Sequence, residues 1–288
     1  MKAEGEKGFK LYRHGKIQYL QSPLLAGCPG VVHAFSTRVG GCSEGAMASL
    51  NTAFHTGDEY SCVCENRRRF LEPWGFRPDE VVAAIQVHGV NICEALPGDR
   101  GRGAVPRSFL GEGDALVTAV PHLPLTGYAA DCPLLFIAAP DVAAVALAHA
   151  GWRGTLQNMA ERVIGRLYDR FGADPASMLV AISPGICGRC YTVERSVAAS
   201  FIEAGWSGPP YLWESSCGGF HLDLAAINAV QLRSAGIEKE NMAPGVDWCT
   251  SCKPGLFYSY RREKGKTGRM MGLIALQKQS STGKAVKI

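Results

Sequence analysis

The chain lacks any uninterrupted apolar run long enough to cross a bilayer. Its most apolar window, residues 133–151, is broken near the centre by Pro140 and Asp141, whereas a spanning helix needs about 20 consecutive apolar residues. The first residues, M-K-A-E-G-E-K-G-F-K, hold no apolar core of the signal-peptide kind, and neither end carries a lipidation signal. A cytoplasmic location without membrane contact is therefore expected. A strong charge of one sign is also missing. The net charge is +4, and Lys and Arg are scattered apart from Arg67-Arg68-Arg69 and Arg261-Arg262, so the dense basic face that nucleic acid requires is not expected. Small anionic ligands remain compatible with this balance. No internal repeat and no linker interrupts the sequence, and residues 1–288 read as one domain. Eleven cysteines are many, but the number is odd and the density is below that of a disulfide scaffold, so most are expected reduced.

With 47% hydrophobic and 19% charged residues, the composition is that of a globular protein able to bury a sizeable core. The most informative stretch is residues 126–154, T-G-Y-A-A-D-C-P-L-L-F-I-A-A-P-D-V-A-A-V-A-L-A-H-A-G-W-R-G. Two apolar runs of strand length, 134–138 and 143–148, flank the turn-favouring Pro140-Asp141, which predicts a buried hairpin. Cys132 stands just before the first run and His149 just after the second, so the hairpin returns both to one end of the sheet. His88, at the end of the run 81–85 in I-Q-V-H-G, is a third candidate. Two histidines and a cysteine suit zinc or copper, and three protein ligands with an open fourth position form a catalytic rather than a structural pattern. Taken singly, each residue is as well explained by packing or by capping a strand. The recurrence of all three at ends of strand-like runs favours the joint reading.

Elsewhere the pattern predicts a hairpin over residues 9–20 turning at His14-Gly15-Lys16, and a strand over 30–38 that ends in the Gly-rich loop 39–45. An amphipathic helix is expected over 64–74, with Arg67, Arg68 and Arg69 on its solvated face. A strand over 81–90 would project Gln86 and His88 from the same face. A Gly-, Arg- and Pro-rich loop follows over 97–113, then a strand at 114–118. A helix over 155–171 carries an apolar stripe of Leu156, Met159, Ala160, Val163, Ile164 and Leu167. A strand at 178–182, helices at 193–204 and 222–235, strands at 257–261 and 270–276, and a polar tail at 278–288 complete the reading. The fold class expected is α/β of the α+β kind, with helices packed on mixed or largely antiparallel sheets. The pairs Cys187/Cys190 and Cys249/Cys252 are each C-x-x-C, but the gap between them is far longer than in a zinc ribbon. Independent buried thiols, dispensable for chemistry, are the expectation.

These motifs occur together in a known family. The chain resembles, over residues 31–276, the multicopper polyphenol oxidase or laccase-domain family, which includes a peptidoglycan editing factor and bacterial purine nucleoside phosphorylases. The resemblance rests on F-S-T-R-V-G-G (35–41), S-L-N (49–51), H-T-G-D (55–58), E-N-R-R-R (65–69), Q-V-H-G (86–89) and G-D-A (113–115). It continues through A-D-C-P (130–133), H-A-G-W-R-G (149–154), C-T-S-C (249–252), S-Y-R-R (259–262) and T-G-R (267–269). One departure stands at residues 183–193, S-P-G-I-C-G-R-C-Y-T-V, where the family reads G-P-x-I-G-P-C-C-Y-E-V. The substrate wall near this loop is expected to differ.

The resemblance implies that His88, Cys132 and His149 bind Zn2+, with Cu2+ possible, and form the active centre. It implies phosphorolysis of adenosine, inosine, guanosine or methylthioadenosine, together with adenosine deaminase activity, with purine nucleosides and phosphate as small-molecule partners. A zinc ion could activate water for attack at C6 of adenine, while phosphorolysis needs positive charge to orient phosphate against C1′. Arg38, Arg153 and Arg269 are the cations expected to do this, with Asn51, Gln86 and Asp131 as further substrate contacts. A rival within the family is a hydrolase editing cell-wall precursors, with Cys132 as nucleophile and His149 or His88 as base. Copper oxidase chemistry needs several coppers, and the sequence offers one evident ligand cluster. A non-catalytic zinc module is the alternative from another class, against which the open position argues.

Overall fold

The computed structural model describes residues 8–277 apart from Cys217 and Val246; the expected polar tail over 278–288 lies outside them. Among the described residues no helix is long and apolar enough to cross a membrane. Two sheets form the centre. The first runs in the order Lys10–His14, Ile17–Gln21, Val31–Ser36, Met270–Leu276, Leu125–Ala129, antiparallel throughout. The second runs Met242–Pro244, Leu179–Ile182, Leu134–Ala139, Ala144–His149, Ala115–Thr118, Ile92–Glu94, antiparallel at its centre and parallel at both edges. A small third sheet joins Thr192–Val193, Phe220–Leu222 and Leu212–Glu214. This is the mixed α/β architecture expected of the sequence.

The central hairpin shows why these runs are apolar at every position. Leu134, Phe136, Ala138, Val145 and Leu147 face the first sheet, where they meet Phe35, Leu125 and Ile274. The alternate residues Leu135, Ile137, Ala144, Ala146 and Ala148 face the helix Met159–Phe171 through Met159, Val163, Ile164 and Leu167. Strands covered on both faces read as continuous rather than alternating hydrophobic runs. The outer face of the first sheet is covered by the helix Tyr60–Leu71, with Phe70 and Leu71 against Ala34, Met271 and Leu273. The two sheets approach closely because Gly272 carries no side chain; a Cβ there would lie 2.6 Å from Leu134 Cδ1 and 2.9 Å from Phe136 Cζ.

Several expectations are corrected. Residues 81–90 do not form a strand. They alternate between partners, bridging Leu125 from Val82 and Glu112 from Ile85, and His88 has φ 60°, so the two-residue alternation that would align Gln86 with His88 fails. The helix over 155–171 is two, Trp152–Leu156 and Met159–Phe171, separated by Asn158 at φ 60°. There Gln231 Nε2 donates to the Thr155 carbonyl and to Asn158 Oδ1, diverting the carbonyl from the helical ladder. Residues 257–261 form no strand: 257–259 are irregular and 260–261 turn, with Arg262 donating to the Phe257 carbonyl and Glu263 accepting from the Ser259 N–H. Arg67 is not solvated but buried. It donates to the Thr52 and Gly103 carbonyls and lies over the Phe54 and Tyr128 rings. Arg68 and Arg69 do pair on the surface with Glu65.

Candidate metal centre and substrate cavity

At one end of the hairpin register, Leu134 faces His149, so Cys132 and His149 emerge side by side, as the turn at Pro140-Asp141 requires. His88 joins them from the loop after residue 85. One ligand atom from each of His88, Cys132 and His149 lies within 4.8 Å of the others, and the two imidazole rings stand edge to face, 4.9 Å apart. His149 is buried and Cys132 half-buried, while His88 is exposed, so the cluster is open on the His88 side.

Asp114 organises this cluster. Its carboxylate, wholly buried, accepts from the backbone N–H groups of Val87, His88 and Gly89 at 3.1, 3.0 and 2.7 Å. The same carboxylate accepts from His149 Nδ1 at 2.9 Å. One residue therefore fixes the turn that presents His88 and the ring orientation of His149, leaving Nε2 of His149 toward the cluster. A carboxylate behind a histidine is the usual support of a metal-bound imidazole. Burial alone would raise the Asp114 carboxyl, but the bond from His149 holds it below its ordinary range. Burial would likewise push the Cys132 thiol up, yet the charge of His149 and bonds to both histidines bring it down to about 6. Burial would depress His149, and Cys132 and Asp114 hold it up at about 9. A thiolate beside two imidazoles, one anchored by a carboxylate, is a donor set that fits zinc.

The cluster forms part of the wall of a cavity of about 550 Å³. Gln86, Asp131, Arg153 and Arg269 also line it, as do His55, Arg67, Tyr128, Tyr260 and Arg261. Arg269 is half-buried, donating to the Thr267 and Gly268 carbonyls and lying near the Tyr260 ring. Arg153 is exposed over the Trp152 ring. Gln86 spends its amide on the backbone N–H and carbonyl of Tyr128, at 2.8 and 2.9 Å, and so completes a sheet edge. Asp131 has both oxygens engaged, by Thr250 Oγ1 at 2.6 Å and the Arg261 N–H at 2.7 Å. Its φ of 97° marks a backbone held in place by those contacts.

Two expected contacts lie elsewhere. Arg38 does not line the cavity; it pairs with Glu263 at 2.9 Å, donates to the Ala48 carbonyl and lies over the Tyr258 ring. Asn51 is buried behind the wall, where Nδ2 donates to Asp58 and Oδ1 accepts from the Arg269 N–H. It positions Arg269 without reaching the cavity. Asp114, Arg67, His55 and Arg261 also belong to the site, although the sequence pattern did not single them out. Asp114 was visible in G-D-A, but nothing in its spacing foretold that three successive N–H groups would converge on it.

The family model described as "Multi-copper polyphenol oxidoreductase laccase" matches residues 32–277. The chain belongs to this family. It is 37% identical over 261 residues to the purine nucleoside phosphorylase YlmD of Geobacillus stearothermophilus, covering 89% of this chain and 95% of that one. It is 39% identical over 273 residues to a purine nucleoside phosphorylase of Deinococcus radiodurans, covering 93% and 97%. Among solved structures, YlmD from Geobacillus stearothermophilus superposes with a TM-score of 0.85 at 34% identity, covering 94% of this chain and 99% of that one. A Bacillus licheniformis protein, YfiH, superposes at 0.86 and 31% identity, covering 93% and 99%.

Proposed function

We propose that the protein is a zinc-dependent purine nucleoside phosphorylase with adenosine deaminase activity, acting in the 550 Å³ cavity beside His88, Cys132 and His149. The observation that carries this is one wall holding three metal-ligating side chains while arginines and aromatic rings line the rest. The names of the two relatives, matched over 95% and 97% of their lengths, point the same way. The volume lies within the range of small-molecule sites.

Phosphorolysis requires phosphate to attack C1′ of the ribose while the bond from C1′ to the purine nitrogen breaks, giving free base and ribose 1-phosphate. Arg153 and Arg269 hold and orient the phosphate, and the buried Arg67 adds positive potential behind it. Tyr128 and Tyr260 line the cavity with aromatic surface against which the purine packs. His88, Cys132 and His149 would hold Zn2+, which when bound would supply a Lewis acid. Asp114 keeps the His149 ring oriented, and Asp131 holds the loop that carries Cys132.

The test is to measure KM for phosphate with Arg153→Ala and Arg269→Ala, using inosine as co-substrate. Loss of a charge-assisted bond of about 1.5–3 kcal/mol should raise KM for phosphate at least about tenfold, with a smaller effect on KM for inosine. Unchanged phosphate KM in both variants would remove the arginines from the mechanism.

A further inference from the structure

The two C-x-x-C pairs, 59 residues apart from Cys190 to Cys249, were expected to be independent thiols; the fold instead brings all four together, with every Sγ within 4.8 Å of the others. We propose that Cys187, Cys190, Cys249 and Cys252 form a second metal site, a structural four-thiolate site for Zn2+, separate from the cluster in the cavity.

Proximity is not the only ground. Each pair closes a tight turn, the Cys190 N–H donating to the Cys187 carbonyl at 2.9 Å and the Lys253 N–H to the Cys249 carbonyl at 3.2 Å. Cys249 Sγ also accepts from the Cys187 N–H at 3.3 Å, which crosses from one pair to the other. That backbone N–H, aimed at the Cys249 sulfur, favours its thiolate, the form that binds metal. The Sγ atoms of Cys190 and Cys252 stand 3.4 Å apart, far beyond the S–S bond of about 2.05 Å. That separation is near the edge of about 3.8 Å that four Zn–S bonds of about 2.3 Å would give.

The turns are built to stay where they are. Gly188 is buried where a Cβ would meet Trp213 at 2.6 Å and Asp223 at 2.9 Å, so that position admits only glycine. On the other side, Arg262, paired with Glu263 at 2.9 Å, donates to the Thr250 and Ser251 carbonyls at 2.6 and 3.0 Å and so fixes the 249–252 turn. The quartet reaches the surface at Cys252, which gives a metal ion a path of entry.

Its consequence lies in the cavity wall. The 249–252 turn holds Asp131 through Thr250 Oγ1, and Tyr191, next to Cys190, lines the cavity. A zinc ion would staple these two segments behind the loop that carries Cys132. Four thiolates without histidine or an open position form a structural rather than a catalytic site. They are also not the ligand set of an oxidase copper centre.

The test uses the full chain carrying His88→Ala and Cys132→Ser, so that the cavity cluster cannot contribute. Reduced, metal-free protein is titrated with Co2+ and followed by absorption. The expected result is saturation at one equivalent, with the intense thiolate-to-cobalt charge-transfer and tetrahedral ligand-field bands of four sulfur ligands, displaced on adding Zn2+. Adding Cys190→Ser and Cys252→Ser should abolish those bands. If that variant fails to fold, the spectrum of the chain with its quartet intact still decides. Absence of the bands in the reduced protein, or a spectrum of octahedral oxygen and nitrogen ligation, would overturn the site. So would four thiols that react equally fast with and without Zn2+.

Discussion

At the residue scale, Asp114 ties the cluster together. It holds the His88 turn through three N–H groups and the His149 ring through Nδ1, so Asp114→Asn should weaken metal binding in the cavity about 10–100-fold. Metal affinity measured by competition with a chromophoric chelator checks this; an affinity equal to wild type would show that the ligands orient without it. Cys132 gives a second prediction. Held at about 6, the thiol of metal-free protein is mostly thiolate at pH 7, and thiolate is the reactive form. Its alkylation rate should be near its plateau at neutral pH and fall about tenfold per unit below pH 6, and bound zinc should suppress it. Fast alkylation in the zinc-replete protein would instead favour Cys132 as the nucleophile of a hydrolase. The three clustered residues were legible in the sequence because each ends an apolar run, and a hairpin must return its ends together. Asp114, Arg67 and the Cys187 and Cys249 pairs were not, because their roles depend on partners far away in the chain that no local period encodes.

At the element scale, the buried hairpin, the outer helices and the mixed sheets were legible from apolar runs, turn residues and the 3.6-residue stripe. The strand expected over 81–90 failed because its N–H groups go to Asp114 and to alternating neighbours rather than to one partner strand. The solvated face expected for Arg67 failed because a charge run says nothing of which member turns inward. On the strand Val31–Ser36, His33 is fully buried between the Phe9 and Phe136 rings, and its Nε2 accepts from the Ser22 N–H at 2.8 Å. Burial holds it down to about 3 against an ordinary 6.5. The unfolded chain therefore binds a proton between these values that the folded chain does not. Stability contributed by neutral His33 is full above pH 6.5 and is lost as pH falls toward 3, at up to about 1.4 kcal/mol per unit. His33→Gln, which can keep an acceptor, should flatten the denaturation midpoint between pH 6.5 and 4 even if it lowers overall stability. An unchanged slope would assign the acid sensitivity to other groups.

At the scale of the whole molecule, two sheets packed face to face bring the hairpin ends, the loop at His88 and the residues Tyr260, Arg261 and Arg269 to one cavity, although these segments are far apart in sequence. The wall of His88, Cys132 and His149, the arginines and the aromatic residues converge only in the complete fold, and the proposal to be tested is that this cavity splits purine nucleosides with phosphate. Phosphorolysis consumes phosphate, whereas deamination and amide hydrolysis do not. The decisive measurement is incubation of zinc-replete protein with inosine and with adenosine, each with and without phosphate, following bases and nucleosides by chromatography. The account predicts hypoxanthine from inosine only when phosphate is present, and some inosine from adenosine in its absence. No base released from either nucleoside at any phosphate concentration would contradict it.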